Sequence, residues 1–257
     1  MRRIPLFLVL LPVGGVIAQK TGEAAYQKAL AYYEQKNYDA CVTALKPAIK
    51  EGENTADLRI LAAHCHSARK TYADAIYHLK AVLEDSSDRT SVRTDIVALL
   101  FQQARYREAR NAGYKYIEAF KDEDKPVPHE LSLWTAKACL AHGKVSEALA
   151  LARDAKQSAD ADTKYFGLIT ETRALIASAN LTEADISLSF AESMRDAELH
   201  AMLRANIAEL QWAQQKFPED KRAEIVALYE KMTRSENAEI KAAALKNLER
   251  VKSAKAS

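Results

Sequence analysis

Glycine and proline are scarce in this sequence: 7 glycines and 6 prolines stand among 257 residues. So few breaking residues favour long regular elements, and the abundance of Ala, Leu, Glu and Lys favours helices among them. The 28% of charged residues excludes a membrane-spanning bundle. The 48% of apolar residues is enough to build a core.

Cysteine is scarce as well, with Cys41, Cys65 and Cys139 as the complete set. A small exported domain that relied on disulfides would have more cysteines, in an even number. We therefore expect the core to hold the fold, and all three cysteines to be small buried apolar residues. Cys41–Cys65 is the one pair whose helices we expect to touch, and so the only candidate bridge.

The first 18 residues differ from the rest of the chain. The segment MRRIPLFLVLLPVGGVIAQ has a basic start, an apolar run, and side chains of small or moderate size at Val16 and Ala18. This pattern is typical of a Sec-type signal peptide that is cleaved after Ala18, although an uncleaved anchor is the alternative. The apolar run is short for a membrane span. We expect the mature protein to be periplasmic or secreted, without membrane insertion after signal removal.

An excess of positive charge is also absent. The formal net charge is +2, and removal of residues 1–18 would take away Arg2 and Arg3 but no acidic residue. The remaining chain would have a formal net charge of zero, so its charge gives no indication that it binds nucleic acid or anionic lipid. The expected partners are therefore other proteins or peptide segments, and not nucleic acid.

Catalytic motifs are missing too. The sequence has no glycine-rich phosphate loop, no G-x-S-x-G, no H-E-x-x-H and no C-x-x-C. Successive residues of a helix point about 100° apart, so His64, Cys65 and His66 cannot share one metal ion without help. We expect no catalytic residue, no metal site and no cofactor. Trp134 and Trp212 are expected to pack in the core.

A repeat is what the sequence does contain. Tyr38, Tyr72 and Tyr106 are spaced by 34 residues, and each is followed three positions later by a small residue. Val145 and Leu181 continue the series at intervals of 39 and 36 residues. Each unit reads as two helices joined by a loop too short for anything but an antiparallel hairpin. Such a hairpin cannot bury its apolar stripes alone, so the units must stack.

These units resemble the tetratricopeptide repeat, a helical hairpin with a period near 34 residues. The family has a small residue followed three positions later by an aromatic in the first helix, and a small residue early in the second helix. The first feature corresponds to Ala29 and Tyr32, Ala63 and His66, and Ala136 and Cys139; the second corresponds to Cys41, Ala75, Ala109, Ala148 and Ala184. Gly113 and Ala152 stand where a large apolar residue is usual.

The resemblance implies an all-α fold. We expect a right-handed superhelical solenoid of about six antiparallel helix pairs with a C-terminal capping helix. Residues 1–18 would be the signal peptide and residues 19–197 an array of about five tetratricopeptide-like units. Residues 198–257 would contain an atypical sixth pair, the capping helix and a short tail.

The resemblance also implies a concave groove that is lined by the first helices of successive units. The residues predicted to line it are Tyr26, Leu30, Tyr33, Ile60, His64, Phe101, Lys137, Leu140 and Arg173. The N-terminal members suit an apolar or aromatic ligand, whereas Lys137 and Arg173 suit an acidic one.

The leading interpretation is a non-enzymatic protein–protein interaction adaptor or scaffold in the periplasm or another extracytoplasmic space, which binds its partners through the groove. The alternative is a fixed architectural subunit of a bacterial envelope machine for outer-membrane assembly, cell-wall coordination or motility. In that case the outer surfaces would make the contacts. The sequence predicts neither the oligomeric state nor the identity of the partner.

Overall fold

The prediction of an all-α fold is confirmed. The computed structural model describes residues 13–50, 56–85, 89–195, 197–215 and 219–254. These residues form helices joined by turns and contain no strand. The helices are α1 (Val13–Glu34), α2 (Tyr38–Lys50), α3 (Ala56–Ala68), α4 (Tyr72–Asp85), α5 (Thr90–Gln102), α6 (Tyr106–Asp122), α7 (His129–Ala141), α8 (Val145–Ala155), α9 (Ala161–Ala177), α10 (Leu181–Met194), α11 (Glu198–Gln214), α12 (Glu219–Met232) and α13 (Ala238–Ser253).

The chain divides into two compact units. Unit 1 comprises Met1–Arg105, and unit 2 comprises Tyr106–Ser257. In both units each helix touches the next along the chain, and first helices of successive pairs also touch, as α1 does α3 and α7 does α9. This double set of neighbours is what a stack of helical hairpins requires, because each pair buries its apolar faces against the next.

The repeat positions found in the sequence mark the same point of every pair. Tyr38, Tyr72, Tyr106, Val145 and Leu181 are the first residues of α2, α4, α6, α8 and α10. The alignment of the repeats that the sequence predicted is therefore confirmed to the residue at the start of these second helices. The small residue three positions later is completely buried in each helix; these residues are Cys41, Ala75, Ala109, Ala148 and Ala184.

The turn before each of these second helices has one conformation. Its residue with positive φ lies two positions before the helix: Lys36 (57°), Lys70 (61°), Ala104 (57°), Gly143 (78°) and Ala179 (57°). The next backbone N–H donates to a carbonyl five residues earlier, as Asn37 does to Tyr32 at 2.9 Å and Asn180 does to Leu175 at 2.9 Å. This pattern closes the end of the first helix. Four of the five positions hold a side chain in a region that glycine occupies without cost.

A disulfide in unit 1 corrects the expectation for two of the cysteines. Cys41 of α2 and Cys65 of α3 are bonded, with 6.5 Å between their Cα atoms. We expected small buried apolar residues, and both are indeed completely buried, but the meeting of the two helices also brings the sulfur atoms together. Cys139 is free and buried, as expected.

A stacked pair of histidines lies between α3 and α4 in unit 1. The ring centroids of His66 and His78 are 5.4 Å apart, and His66 Nδ1 is 2.8 Å from Thr71 Oγ1. Burial, followed by the charges of His66 and Arg59, lowers the pKa of His78 to about 4. Burial is also the main cause of the lowered pKa of His66, against an opposing effect of Asp74. Both lowered pKa values favour the neutral form of the rings at pH 7.

Two glycines of unit 2 permit close helix packing. A Cβ atom on Gly113 of α6 would lie 2.2 Å from Oγ1 of Thr135 in α7. This explains why Gly113 replaces the large apolar residue of the repeat pattern, since Thr135 already fills the space. A Cβ atom on Gly167 of α9 would lie 2.7 Å from the backbone nitrogen of Lys156, so α9 also passes directly against backbone.

A buried carboxylate joins three helices of unit 2. Glu171 of α9 is 3% exposed. It accepts hydrogen bonds from Lys156 Nζ at 2.8 and 2.7 Å, from Arg153 Nε at 3.1 Å and from Ser187 Oγ at 3.0 Å. Because the two cations lie on and just after α8 and Ser187 lies on α10, this one side chain ties α9 to both neighbours.

The C-terminal helices α11–α13 share a core that includes Trp212, Tyr229 and Val251. Trp212 is buried, as expected. Arg222 of α12 donates to backbone carbonyls at the end of α13, including that of Lys252 at 3.1 Å. The helices α11, α12 and α13 lie where a sixth pair and a capping helix are predicted, while the predicted junction at Phe217-Pro218 lies outside the described residues.

The predicted signal peptide lies mostly outside the described residues. The described part begins at Val13, and α1 runs without a break past Ala18, so cleavage after Ala18 stays a prediction. The boundaries predicted at 18/19 and 197/198 likewise stay predictions. None of the helices in the described part of the chain has the length and hydropathy that a membrane span requires.

Candidate protein-binding surfaces

In unit 1 the predicted groove residues of α1 lie side by side along one face. Tyr26, Leu30 and Tyr33 are half-buried and pack against the core cluster that contains Cys41 and Cys65. The ring of Tyr33 lies 6.4 Å from that of His64 on α3, which is exposed. The structure therefore brings predicted residues of two first helices together, and leaves part of each aromatic surface accessible.

The other two predicted residues of unit 1 are also half-buried. Ile60 lies on α3, one turn before His64, and Phe101 lies in the last turn of α5. An apolar side chain at partial exposure on each of three first helices is compatible with the predicted apolar surface.

In unit 2 the predicted residue Lys137 is held over aromatic rings. Its Nζ atom lies 4.2 Å from the ring centroid of Trp134 and 4.7 Å from that of Phe166. At these distances the ammonium is attracted to the electron-rich faces of the aromatic rings. Burial and then the charge of Arg173 lower the pKa of Lys137 to about 8, while Glu130 acts in the opposite direction.

Arg173 of α9 is exposed, yet its environment lowers the pKa of its guanidinium. The main cause is desolvation by surrounding protein atoms, which Tyr165 and Glu239 oppose. The side chain of Arg173 is thus accessible to solvent and also surrounded in part by protein atoms. Leu140, the third predicted residue of unit 2, is half-buried against the cluster of Cys139, Ala148 and Ala174.

The aromatic partners of these cations were not predicted. Arg195 lies over the ring of Tyr165 at 4.0 Å and over that of Phe166 at 5.7 Å, and it pairs with Asp162. Tyr165 hydroxyl is 2.9 Å from His200 Nε2. These residues form a cation–aromatic row, which consists of Trp134, Lys137, Phe166, Arg195, Tyr165 and His200.

One sequence signal could have revealed the row. Tyr165 and Phe166 are adjacent in α9, and adjacent residues of a helix point about 100° apart, so both rings cannot face the same core. Tyr165 is 3% exposed and Phe166 is 37% exposed. Trp134, which we expected in the core, is half-buried, and Lys137 lies over its ring.

A second surface lies on α10. Ile186, Phe190 and Met194 are 54%, 61% and 36% exposed. They follow one another at intervals of four residues and therefore form one stripe along the helix. The core of the same helix consists of Leu188, Ala184 and Ala191, on another face. We call these three exposed residues the α10 stripe.

The histidines and cysteines are arranged for packing. His64 faces Tyr33, Cys65 is in the disulfide, and His66 stacks on His78, so the three consecutive residues point to different neighbours. In the part of the chain that the structure describes, no group of three or more His, Cys, Asp or Glu residues could hold a metal ion. Burial raises the pKa of the Cys139 thiol to about 11, which leaves it a poor nucleophile at neutral pH.

Fold and surfaces together define a helical-repeat protein whose first helices present half-exposed aromatic and cationic side chains. A family model described as Anaphase-promoting complex, cyclosome, subunit 3 matches residues 16–82. The chain has the fold of tetratricopeptide-repeat proteins, as the sequence resemblance predicted. No curated protein matches the sequence.

Several solved structures share this fold. PilF of Pseudomonas aeruginosa superposes with a TM-score of 0.64 at 14% identity, over 90% of this chain and 99% of PilF. PilW, described as a widely conserved type IV pilus biogenesis factor, has a TM-score of 0.63 at 15% identity, over 89% and 98% of the two chains. YrrB, described as having an unusual peptide-binding site, has a TM-score of 0.56 at 16% identity, over 79% and 98%. Identities this low show a shared fold and nothing further.

Proposed function

We propose that this protein is a non-enzymatic adaptor or scaffold outside the cytoplasm, which holds an extended or helical segment of a partner protein on its first helices. The observation that carries the proposal is the pair of Lys137 and Arg173 on touching helices α7 and α9, beside the exposed ring of Phe166. Aromatic and arginine side chains at partial exposure are typical anchors of protein interfaces. The peptide-binding site named for YrrB shows that this fold can serve such a role.

Two observations support a location outside the cytoplasm. The N-terminal segment has the pattern of an export signal. The Cys41–Cys65 disulfide is independent of that segment, and disulfides persist mainly in oxidising compartments. PilW, a pilus biogenesis factor, is an example of the same fold in the assembly of a surface structure.

Site-specific photo-crosslinking in the native host tests the proposed surface. An aromatic crosslinking amino acid at His64 or at Phe166 should capture a defined partner, because these positions lie on first helices. The same amino acid at Lys80, an exposed residue of the second helix α4, serves as the matched control and should capture little. Equal crosslinking at all three positions would contradict the proposed surface.

The α10 stripe supports a second candidate function, a fixed architectural subunit of an envelope machine. A single exposed apolar residue needs no explanation, but three in line on one helix face are a feature of interaction surfaces. On this alternative, Phe190→Glu should abolish a stoichiometric complex that otherwise survives high salt. The adaptor proposal predicts that Phe190→Glu leaves crosslinking from Phe166 unchanged.

A further inference from the structure

Lys137 and Arg173 are cations of unit 2 that surrounding protein atoms desolvate. In the described part of the chain, neither forms an ion pair with a carboxylate. Other arginines of the unit do, and their partners are Glu147 for Arg110, Glu171 for Arg153, Asp162 for Arg195, Glu192 for Arg204 and Glu209 for Arg250. Five arginines of this unit are thus paired with carboxylates, whereas the desolvated Lys137 and Arg173 are not.

The arrangement is unfavourable in the free protein. The charge of Arg173 and burial both act against the protonated form of Lys137. The nearest opposing influences are Glu130 on Lys137 and Glu239 on Arg173, and neither carboxylate forms an ion pair with its cation. The contacts of Lys137 with Trp134 and Phe166 hold the ammonium in place but do not neutralise it. An anion between the two cations would remove their repulsion.

We infer that Lys137 and Arg173 bind acidic side chains of a partner segment, and that an apolar residue of the same segment rests on the exposed ring of Phe166. This inference rests on the proposed function and names the chemistry of its partner. The carboxylates would accept hydrogen bonds from a lysine and an arginine, and charge-assisted bonds of this kind are stronger than neutral ones.

An acidic peptide fits this surface better than a nucleic acid does. The chain has a formal net charge of only +2, and Glu130 and Glu239 lie close to the two cations. A polyanion would need a wider basic surface, whereas one or two carboxylates need only this pair. Phe166 and the half-buried Leu140 and Ile176 provide the apolar surface that an aliphatic or aromatic side chain requires.

The test uses two short amidated peptides of otherwise identical sequence, one with glutamates and one with glutamines among leucines and phenylalanines. Calorimetry measures their affinity for the full protein at low and high salt. The double variant Lys137→Gln, Arg173→Gln removes both cations. Its matched control is Lys115→Gln, Lys164→Gln, which removes the same charge from exposed lysines of α6 and α9. Lys137→Arg retains the charge and guards against a folding defect.

The glutamate peptide should bind at least about tenfold more tightly than the glutamine peptide. The double variant should abolish this difference, while the control variant and Lys137→Arg should retain it. Added salt should weaken only the glutamate peptide. NMR of the lysine side chains should show the pKa of Lys137 rising from about 8 when the peptide binds.

The outcomes separate this inference from the proposed function. Equal binding of both peptides would overturn the acidic specificity while it supports a peptide-binding surface. Equal preference in the double variant and its control would place acidic binding elsewhere and overturn the assignment of these residues. Binding of neither peptide would overturn the inference as well, whereas crosslinking at His64 and Phe166 would still decide the proposed function.

Discussion

In unit 1 a covalent bond joins α2 to α3, whereas in unit 2 a buried carboxylate on α9 joins α8 to α10. Both units use the same hairpin, with the same turn and the same buried small residue. Cys41 serves as that small residue in unit 1 and forms the disulfide as well, while Glu171 of unit 2 lies at a different place in its pair. The repeat therefore fixes the turn of the hairpin and the close crossing of its two helices. It does not fix which side chains connect one helix pair to the next, and these can be cysteines or charged residues.

The two units also differ in the surfaces of their first helices. Unit 1 presents tyrosine and histidine rings, as at Tyr33 and His64. Unit 2 presents aromatic rings covered by cations, as at Phe166 and Lys137. Both tryptophans of the chain, Trp134 and Trp212, belong to unit 2. Tryptophan fluorescence therefore reports on unit 2, whereas circular dichroism reports on the helices of both units.

Removal of the disulfide should have the largest effect on stability. The double variant Cys41→Ala, Cys65→Ala should lose about 3 kcal/mol, because the bond closes a loop over a sequence separation of 24 residues in the unfolded chain. Unfolding observed by circular dichroism should begin at a lower urea concentration, while the urea midpoint measured by tryptophan fluorescence should change less. A reductant should reproduce the loss in the natural sequence and leave the double variant unaffected. If fluorescence and circular dichroism shift equally, the contrast between the units is wrong.

Removal of the buried carboxylate should affect the other unit. Glu171→Ala should cost about 2–3 kcal/mol, because it leaves Lys156 and Arg153 without their common acceptor and Ser187 with one bond fewer. Both cations reach solvent, which keeps the cost at the lower end for a broken buried pair. The urea midpoint measured by tryptophan fluorescence should fall by a corresponding amount. Glu183→Ala, which removes an exposed partner of Arg153, is the control and should change stability by about 0.5 kcal/mol or less.

Acid should weaken the two units over different pH ranges. The folded-state pKa values of His66 and His78 lie below the ordinary value of 6.5, so the unfolded chain binds protons first, and stability falls as pH drops from above 6.5 toward about 4. The loss should be on the order of 1–2 kcal/mol. In unit 2, hydrogen bonds from Arg110 and Arg204 lower the pKa values of Glu147 and Glu192. The stability that these two carboxylates contribute is therefore lost only below about pH 4.5.

Urea midpoints between pH 7.5 and pH 4 measure this difference. The midpoint by circular dichroism should fall over that range, and the fluorescence midpoint should stay nearly constant until the acidic end. His78→Gln should remove most of the early fall. If the early fall persists in that variant, the stacked histidines do not cause it.

The turn should give the smallest effects, and the same ones in both units. Lys70→Gly in unit 1 and Ala179→Gly in unit 2 should each stabilise by about 0.5–1 kcal/mol, because glycine adopts positive φ without strain. The reverse change Gly143→Ala should destabilise by a similar amount, although nothing lies within 4 Å of the new Cβ atom. Thermal melting of the three variants checks the signs. A stabilising Gly143→Ala would show that the left-handed turn carries no strain.

The sequence predicted the repeat well because its signal is local and recurs. The interval between Tyr38, Tyr72 and Tyr106 located the second helices to the residue, since the turn before each of them has a constant length. The exception at Gly113 could not be explained from sequence, because the threonine that fills its space comes from the next helix.

The surfaces were predicted only in part, because their chemistry depends on which side chains meet between helices. Lys137 and Arg173 were found by their position in the repeat. Their aromatic neighbour Phe166 is 29 positions away from Lys137 in the sequence and carries no repeat signal. The disulfide was undervalued for a related reason: a count of cysteines gives the usual case, whereas the distance between two helices decides the particular one.

The disulfide also governs how the chain would respond to a pulling force. While the bond is intact, the chain between Cys41 and Cys65 cannot be drawn out, which withholds about 80 Å of contour length from extension. Tension applied at the two ends of unit 1 would pass through the sulfur atoms and bypass most of α2 and most of α3. The parts of α2 and α3 that lie between the two cysteines are thus mechanically shielded, and a scaffold under load would yield first at helix pairs that lack such a bond.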